Sequence, residues 1–487
     1  MEPRCYHVRM IYDAIPYWQC VEKALRNKKF RLIRPFVELI ERQLGAKVLF
    51  DLQTIPHGRY DLIEPLAIAE SFIRRRILRR YDYSPPVPDE PPIRSWYGLH
   101  PNEMVNAVGG ISLESDEAAL YAMLGESLER YLWFEMMDYF EKPVRATMSN
   151  IVRKGAHIAP HRFCGFSEQQ RASQKAWTLS EDAEYLWIRG VSLIAGKKMY
   201  IPAQTVSKAI SALRDGEPLI REQTTIGLAT WPTELGARLR GLLEVIERDA
   251  YMIMWLNQLT LPRVILAPLA REHQSIDRLI KKCEQYRLKL HAVRLLTDAP
   301  AHVICVVLED MSDHAPRFAF GLRAHRSLPE AIRAAALEAL RARRHYRAYV
   351  QGGGSWDPDT PAEKIGHRER TFYWGHGNNA EKLEFMVAGI EEGASGMWEH
   401  DTEEEHFERL IEWCKEKAYE CIAVDLGRSK ANPTPWHVQK IVMPDMQSPY
   451  LREWTRHLGG KRLQSVPKQY GYVPRIEPFV DAPHPYC

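Results

Sequence analysis

The sequence lacks the features that mark secreted and membrane proteins. Its first residues, MEPRCYHVRM, contain no basic end followed by an apolar run, as a secretory signal would. The most apolar long window, residues 251–270, is interrupted by Asn257, Pro262 and Arg263, which is too polar for a membrane-spanning helix. We therefore expect a soluble cytoplasmic protein with no membrane association.

The chain also has little excess of charge and no metal-binding cysteine pattern. Its 66 lysines and arginines oppose 63 aspartates and glutamates, so the overall charge indicates no particular partner and gives no support for binding of nucleic acid. The eight cysteines form no Cys-x-x-Cys pair and have no Cys/His spacing typical of zinc. We expect them to be free and mostly buried.

Glycine-rich phosphate-binding loops are missing as well. Residues 190–198, GVSLIAGKK, approach a P-loop, but the glycine spacing is too long and Lys198 stands where serine or threonine belongs. Residues 375–380, GHGNNA, imitate a dinucleotide fingerprint outside the required strand–turn–helix setting. A nucleotide site in this chain would therefore need a different construction.

A proline-rich stretch suggests how the chain is divided. Residues 84–95 include SPPVPDEPP, which disfavours both helix interior and sheet and predicts an extended linker. Residues 1–83 have the mixed pattern of a small α/β extension, and residues 96–487 would form the main domain with a proline-rich tail. Packing on the main domain is the default role of the extension; docking of a leader peptide or partner protein is the alternative.

A basic cluster lies at the end of the helix predicted at residues 66–78, just before the proline-rich linker. Because charge runs usually cover a solvated face, we favour that interpretation over binding of phosphates or nucleic acid, which would also need interleaved aromatic residues. The cluster consists of Arg74, Arg75, Arg76, Arg79 and Arg80.

Helices and strands are interspersed without a regular βαβ alternation. Residues 185–203 alternate around AGKK like a β-hairpin, and residues 302–310 have the pattern of a buried strand. Ser327 and Glu330 predict a capping box at the start of a helix. The expected class is α+β, with mixed or antiparallel sheets and long helices.

Two of the predicted helices, residues 112–140 and 233–257, each contain a Glu-x-x-Glu-Arg motif. On a helix of 3.6 residues per turn, the apolar residues form one stripe and the motif residues lie together on the opposite side. The motif residues are Glu126, Glu129 and Arg130 in the first helix and Glu244, Glu247 and Arg248 in the second.

The motif has two interpretations. Glu126–Arg130 and Glu244–Arg248 are i,i+4 pairs, each worth about 0.2–0.5 kcal/mol on a solvated helix. Alternatively, two such helices that face each other would gather their carboxylates and guanidiniums. This set suits magnesium bound to a triphosphate, because carboxylates bind the metal and arginines bind phosphate oxygens.

Several stretches, in order, resemble the YcaO family in its peptide-modifying branch. The resemblance covers about residues 96–487, and the Glu-x-x-Glu-Arg helices are its most specific part. The stretches are GGISLESDEAALYAMLGESLERYLW (109–133), IPAQTV (201–206), TTIGLATWPTELGARLRGLLEVIERDAYMIMWLNQ (224–258), GLRAHRSLPEAIRAAALEALRAR (321–343), AVDLG (423–427), IVMPDMQ (441–447) and HLGGKRL (457–463).

The resemblance implies a YcaO-type fold around a nucleotide site and an enzyme that uses ATP and Mg²⁺ to activate a backbone amide of a ribosomally made precursor peptide. In azoline-forming members, a substrate Cys, Ser or Thr attacks the preceding carbonyl, ATP phosphorylates the oxygen, and phosphate leaves to give a thiazoline or oxazoline. The alternatives are a thioamide- or amidine-forming enzyme that uses an external nucleophile, and a non-catalytic maturation accessory.

The resemblance also implies roles for individual residues. The family often has a serine where this chain has Ala122 and an acid where it has Gly236, so the family's nucleotide affinity and metal number do not transfer directly to this chain. The implied magnesium and ATP ligands are Glu126, Glu129, Glu244 and Glu247, the implied phosphate-binding cations are Arg130, Arg248 and Arg343, and the C-terminal carboxylate of Cys487 would assist proton removal.

The implied partners follow from the same resemblance. Besides the precursor peptide, many relatives need a ubiquitin-activating-like protein that binds the leader of that peptide. The extension of this chain, residues 1–83, is short for a fused copy of such a protein. We therefore expect a separate partner subunit, with a flavin dehydrogenase and a homodimer of this chain as further options.

Overall fold

The chain forms two compact units in the computed structural model. Of the described residues, the first unit includes those before 88 together with 92–131 and 433–435, and the second includes 88–91, 132–432 and 436–486. The described residues are 62–85, 89–101, 107–135, 143–163, 165–208, 216–312, 315–351, 357, 360–361, 364–366, 369–375, 377–393, 397–427, 432–476, 479–480 and 482–486. Most of the predicted extension, residues 1–61, therefore lies outside them.

The first unit contains a three-stranded antiparallel sheet in the order β1-β2-β3. Strands β1 and β2 pair directly, with Arg80 opposite Leu99 and Ser84 opposite Ser95. The predicted linker thus lies in sequence between two paired strands of one sheet. The elements are α1 (Ile63–Arg74), β1 (Arg80–Ser84), β2 (Arg94–Leu99), β3 (Ala107–Ser112) and α2 (Asp116–Glu135), whose last turn belongs to the second unit.

Helix α1 ends earlier than the predicted 66–78. Arg76 has a φ of 58°, a left-handed conformation that ends the helix, and the Ile77 N–H returns 2.8 Å to the Phe72 carbonyl. The side chains of all five arginines of the basic cluster are exposed, as the solvated-face interpretation expects.

The second unit is built around two largely antiparallel sheets. One has the order β11-β10-β9-β8-β12, in which β12 and β8 are parallel, and the other has the order β4-β5-β13-β14-β7 with β6 paired to β5. The strands are β4 (Val144–Ala146), β5 (Tyr185–Ser192), β6 (Lys198–Pro202), β7 (Leu228–Trp231), β8 (Arg263–Val264), β9 (Leu288–Arg294), β10 (His302–Asp310), β11 (Phe318–His325), β12 (Glu391–Glu392), β13 (Ile422–Asp425) and β14 (His437–Val442). The α+β class, the hairpin and the buried strand are confirmed.

The α-helices of this unit connect and cover the two sheets. They are α3 (Met148–Val152), α4 (Glu168–Ser173), α5 (Glu234–Asn257), α6 (Leu266–Glu272), α7 (Gln274–Gln285), α8 (Leu328–Gln351), α9 (Glu369–Gly375), α10 (Glu403–Glu416) and α11 (Arg462–Gln469). Within the described part of the chain, every helix is too short or too polar to cross a lipid bilayer.

Helix α5 is the centre of the core. It packs on β7 and β14 of one sheet and on β10 and β11 of the other, so every residue from Asp249 to Asn257 is buried. Two residues of its motif, Glu247 and Arg248, are largely shielded from water, which disfavours the solvated salt-bridge interpretation for this helix. The four cysteines among the described residues are free and buried, as expected: Cys283, Cys305, Cys414 and Cys421.

Only half of the predicted capping box forms at α8. Ser327 Oγ accepts the Glu330 N–H at 3.5 Å, but the Ser327 N–H donates to His325 Nδ1 at 3.0 Å. The Glu330 carboxylate instead pairs with Arg333 at 2.7 Å.

A buried ion network fastens α5 to the C-terminal part of the chain. Arg462 on α11 donates to Asp249 at 2.8 Å and to Asp298 in the β9–β10 loop at 2.7 Å. Its side chain is 5% exposed, and those of the two aspartates are 1% and 3% exposed. Because a buried carboxylate without a partner is costly, this guanidinium holds three segments in one arrangement.

We expect Arg462→Met to destabilise the protein by about 3–5 kcal/mol, because it leaves two buried carboxylates unpaired. The measurement is the urea unfolding midpoint and slope. The control is Lys281→Met, which breaks the exposed Lys281–Asp277 pair and should cost about 0–1 kcal/mol. Equal shifts for the two variants would contradict the structural role of Arg462.

Candidate functional site

Three helices begin with the same local construction. The hydroxyl of Ser115 accepts the Ala118 N–H at 3.0 Å before α2, and that of Thr233 accepts the Gly236 N–H at 3.1 Å before α5. Ser327 makes the equivalent contact before α8. Each hydroxyl residue is followed after 11 positions by a glutamate, which corresponds to about three helical turns. These glutamates are Glu126, Glu244 and Glu338.

Each of these glutamates is held by a backbone N–H that precedes its helix. Gly109 N donates to Glu126 at 3.0 Å, Gly227 N to Glu244 at 2.8 Å and Leu322 N to Glu338 at 2.8 Å. Hydrogen bonds to a charged acceptor are strong, so each fixes one carboxylate oxygen and turns the other oxygen towards a side chain. The three helices are thus a repeated unit of which the sequence motif shows two copies.

The first and third helices lie directly on the strands that precede them. A Cβ at Gly110 would be 1.9 Å from the Ala119 carbonyl oxygen, and one at Gly321 would be 2.0 Å from the Ala335 oxygen. Glycine at these two positions lets the helix approach closely enough for its carboxylate to reach the strand N–H.

In the second unit, the charged groups of α5 and α8 meet around one guanidinium. Arg248 contacts Glu247 and lies 3.5 Å from Glu244, and its guanidinium is 4.3 Å from the centre of the Tyr486 ring. The Tyr486 hydroxyl donates to Glu338 at 2.6 Å. Glu247 also accepts the Ala324 N–H of β11 at 2.8 Å.

The cluster is partly shielded from water. The side chain of Glu244 is 29% exposed, that of Arg248 13% and that of Glu247 5%. Burial raises the pKa of Glu247, against the opposing effect of Arg248 and Arg323. Although burial also acts on Glu338, Arg248 and nearby arginines hold the pKa of its carboxyl below the usual value.

The C-terminal tail is docked against this cluster rather than frayed. Trp374 Nε1 donates to the Pro483 carbonyl at 3.0 Å, and the Tyr486 N–H donates to the Tyr251 hydroxyl at 3.2 Å. Burial raises the pKa of Tyr486 well above its usual value, so its hydroxyl stays protonated and can donate to Glu338. Cys487 itself lies outside the described residues.

The structure places the predicted site residues in three settings, of which two involve the motif residues and the third involves Arg343. Glu244, Glu247 and Arg248 come together in the second unit, as the motif predicts. In the first unit, Glu126 lies 3.3 Å from Arg130 on α2, and both are partly exposed, as is Glu129. Of the two motif i,i+4 pairs, Glu126–Arg130 has the more exposed arginine, with its side chain 32% exposed against 13% for Arg248.

Arg343 has a different environment from Arg248. Its buried guanidinium contacts Glu90 and lies 2.5 Å from Asp310, and Arg347 lies 2.5 Å from the same Glu90. These carboxylates already neutralise it, so the structure shows Arg343 in an ion network between α8, β10 and residue 90.

Sequence reasoning missed Glu338 and Tyr486. Glu338 is not part of a Glu-x-x-Glu-Arg motif, since Arg341 follows it three residues later. Its signal is the 11-residue distance from a capping Ser or Thr, which all three helices share. Tyr486 carries no local signal, because its contact depends on how the tail docks.

The carboxylates fit a magnesium–nucleotide complex in their chemistry. Among the described residues, no three His, Cys, Asp or Glu side chains converge as a complete metal site. Magnesium bound to a nucleotide usually takes only one or two protein carboxylates, and phosphates and water supply the other ligands. Glu244 and Glu247, each with one oxygen fixed by the backbone and the other beside Arg248, meet that requirement.

Comparisons with known proteins agree with this chemistry. A family model described as YcaO cyclodehydratase, ATP- and Mg²⁺-binding, matches residues 113–447, which is more than half of the chain. No curated protein sequence matches the chain.

Solved structures show the same fold. A heterocyclase in complex with substrate and cofactor superposes with a TM-score of 0.70 at 18% identity, over 87% of this chain and 57% of that one. YcaO from Methanopyrus kandleri, bound with AMPPCP and Mg²⁺, gives 0.55 at 16% identity, over 78% and 91%. The E. coli microcin synthetase McbBCD complex with pro-MccB17 bound gives 0.54 at 14% identity, over 75% and 88%.

The chain spans little more than half the length of the first of these structures. The family match covers the stretch from before α2 to after β14, and so includes all three repeated helices. The chain therefore belongs to the YcaO family of ATP- and Mg²⁺-binding cyclodehydratases.

Proposed function

We propose that this chain is the catalytic component that converts Cys, Ser or Thr residues of a ribosomally made precursor peptide to thiazolines or oxazolines. The observation that carries the proposal is the cluster of Glu244, Glu247 and Glu338 around Arg248, in which each carboxylate is fixed by a backbone N–H. Fixed, partly desolvated charges are what positioning of a phosphoryl group requires.

Each part of the cluster would have a defined task. Bound ATP with magnesium would supply the phosphoryl group that activates the peptide amide oxygen. Glu244 and Glu247 would hold the metal, and Arg248 would turn from these carboxylates to the phosphate oxygens. The docked tail would exclude water, while the Tyr486 hydroxyl keeps Glu338 oriented. We propose the same metal and phosphate roles for Glu126, Glu129 and Arg130 of α2.

Arg343 and Cys487 enter the proposal differently. Because Glu90 and Asp310 already bind the Arg343 guanidinium, we propose that Arg343 orients α8 and that its effect on phosphate is indirect. The docking of Tyr486 supports a role for the adjoining C-terminal carboxylate of Cys487 in accepting a proton.

We also propose that a separate leader-binding protein delivers the precursor. Residues 62–85 of the predicted extension form a helix and a strand of the first unit's sheet, which is in keeping with a structural role. A flavin dehydrogenase that oxidises the azolines and a homodimer of this chain remain part of the proposal.

The nucleotide site is tested by Glu244→Gln, which keeps the hydrogen bond to Gly227 but removes the charge. We expect the affinity for a non-hydrolysable ATP analogue with Mg²⁺, measured by calorimetry, to fall at least about tenfold, or about 1.4 kcal/mol. Glu234→Gln is the matched control, because Glu234 also pairs with an arginine one turn later on α5. Unchanged affinity in Glu244→Gln, with the fold intact, would refute the metal role.

The contact between the tail and Glu338 is tested by Tyr486→Phe, which removes the hydroxyl that donates a hydrogen bond to Glu338. A hydrogen bond to a charged group contributes about 1.5–3 kcal/mol, so we expect turnover of peptide to fall about tenfold or more while the ATP analogue still binds. Tyr200→Phe, which removes a hydroxyl bonded to Arg189, should leave turnover unchanged. Wild-type turnover in Tyr486→Phe would show that the contact is dispensable.

The product is tested by mass spectrometry of a Cys/Ser/Thr-containing precursor incubated with this chain, its partner, ATP and Mg²⁺. We expect the ATP-dependent loss of one water for each heterocycle formed. Replacement of an oxygen by sulfur in the presence of sulfide would instead establish the thioamide alternative, and an unmodified peptide would favour the non-catalytic accessory.

A further inference from the structure

A groove of about 1090 Å³ opens in the second unit, among residues to which the proposed reaction assigns no role. One wall is the β9–β10 loop and the start of β10, and the other is the exposed face of α10. Aromatic rings of Trp398, Trp413, Tyr470 and Tyr472 line it as well. Its volume exceeds that of most small-molecule pockets, which are about 300–1,000 Å³.

The α10 wall carries a row of carboxylates. Glu405, Glu408, Glu412 and Glu416 are all exposed and line the groove. Successive members are three or four residues apart, so they share one helix face over about 16 Å at a rise of 1.5 Å per residue. Glu412 pairs with Lys415 at 3.0 Å, whereas Glu408 and Glu416 make no ion pair with any described residue.

The positive groups of the groove do not balance this row. Arg409 of the lining is paired at 2.9 Å with Asp401, which lies outside the lining. The lining carboxylate of Asp298 is likewise neutralised by Arg462, which is not part of the lining. Arg294 on the opposite wall is the remaining guanidinium of the lining, and Glu392 adds another exposed carboxylate. The lining as a whole is therefore acidic.

Two buried side chains of the lining each have one polar atom without a hydrogen-bond partner within the described chain. His302 is 5% exposed and its Nε2 atom makes no hydrogen bond there, and the same holds for Nε1 of Trp413, also 5% exposed. The His302 ring lies 5.0 Å from the Trp398 ring, centre to centre. Burial, with Arg294 nearby, lowers the pKa of His302 to about 4, so its imidazole is neutral. A buried polar atom without a partner is costly, so these two atoms call for a partner such as a water, an ion or a ligand.

We infer that this groove binds an extended segment of the peptide substrate that carries lysine or arginine at alternate positions. Alternate residues of an extended chain are about 6.6 Å apart, close to the spacing of carboxylates one helical turn apart. The aromatic rings would attract the same cations through their faces. The inference rests on the proposed function only in naming the peptide substrate as the source of the segment.

The groove connects to the candidate site through one strand pair. Val303 of the lining lies opposite Ala324 in the β10–β11 register. The N–H of Ala324 is the group that holds Glu247. A peptide seated in the groove would thus contact the same end of the sheet that positions the proposed metal ligand.

The experiment measures fluorescence anisotropy of a fluorescein-labelled peptide of alternating lysine and alanine with the full chain, in the absence of nucleotide. We expect saturable binding that weakens with added salt, and no binding of the matching glutamate–alanine peptide. Glu408→Gln/Glu416→Gln should weaken binding about tenfold. The control Glu404→Gln/Glu284→Gln, which makes the same charge change at exposed positions outside the lining, should not.

Equal affinity in the two double variants would overturn the inference, and so would binding of spermine without binding of the peptide. Binding of the ATP analogue is measured in the same variants and should remain at the wild-type value. Loss of peptide binding therefore reports on the groove, whereas the separate Glu244→Gln measurement reports on the proposed function.

Discussion

The arrangement of the candidate site depends on hydrogen bonds between helix carboxylates and backbone N–H groups. Glu244, Glu247 and Glu338 each accept one, at 2.8 Å. Because an acceptor with a full charge binds strongly and a displaced carboxylate would remain buried, these bonds fix the rotation of α5 and α8 relative to the segments they contact. The position of Arg248 and the docking of Tyr486 follow from that rotation.

Fixing several carboxylates in one place creates a demand for positive charge. Arg248 contacts two of them, and Tyr486 donates to the third. The raised pKa of Glu247 shows that burial is not fully compensated by these neighbours. A metal with a polyphosphate would relieve this charge, which is the physical reason for the role that we propose for the cluster.

Much of the site was predictable, and the omissions have physical reasons. The Glu-x-x-Glu-Arg motifs identified Glu244, Glu247 and Arg248, because helical spacing alone brings them together. Glu338 escaped since its helix repeats the cap-to-carboxylate distance without the motif. The sequence left two interpretations open for the charged side of α5, because a helical projection shows residue types but not the strand that packs over them.

By itself, the sequence determined the capped helices, the hairpin, the buried strand and the family, because these depend on residues within a few positions of one another. Tertiary structure decided that β11 supplies the N–H for Glu247, that the tail brings Tyr486 to Glu338, and that Arg343 binds Glu90. Such contacts join distant segments, up to 253 positions apart for Arg343 and Glu90. Their geometry exists only once both sheets have packed around α5, since no local pattern encodes which backbone group will face a given carboxylate.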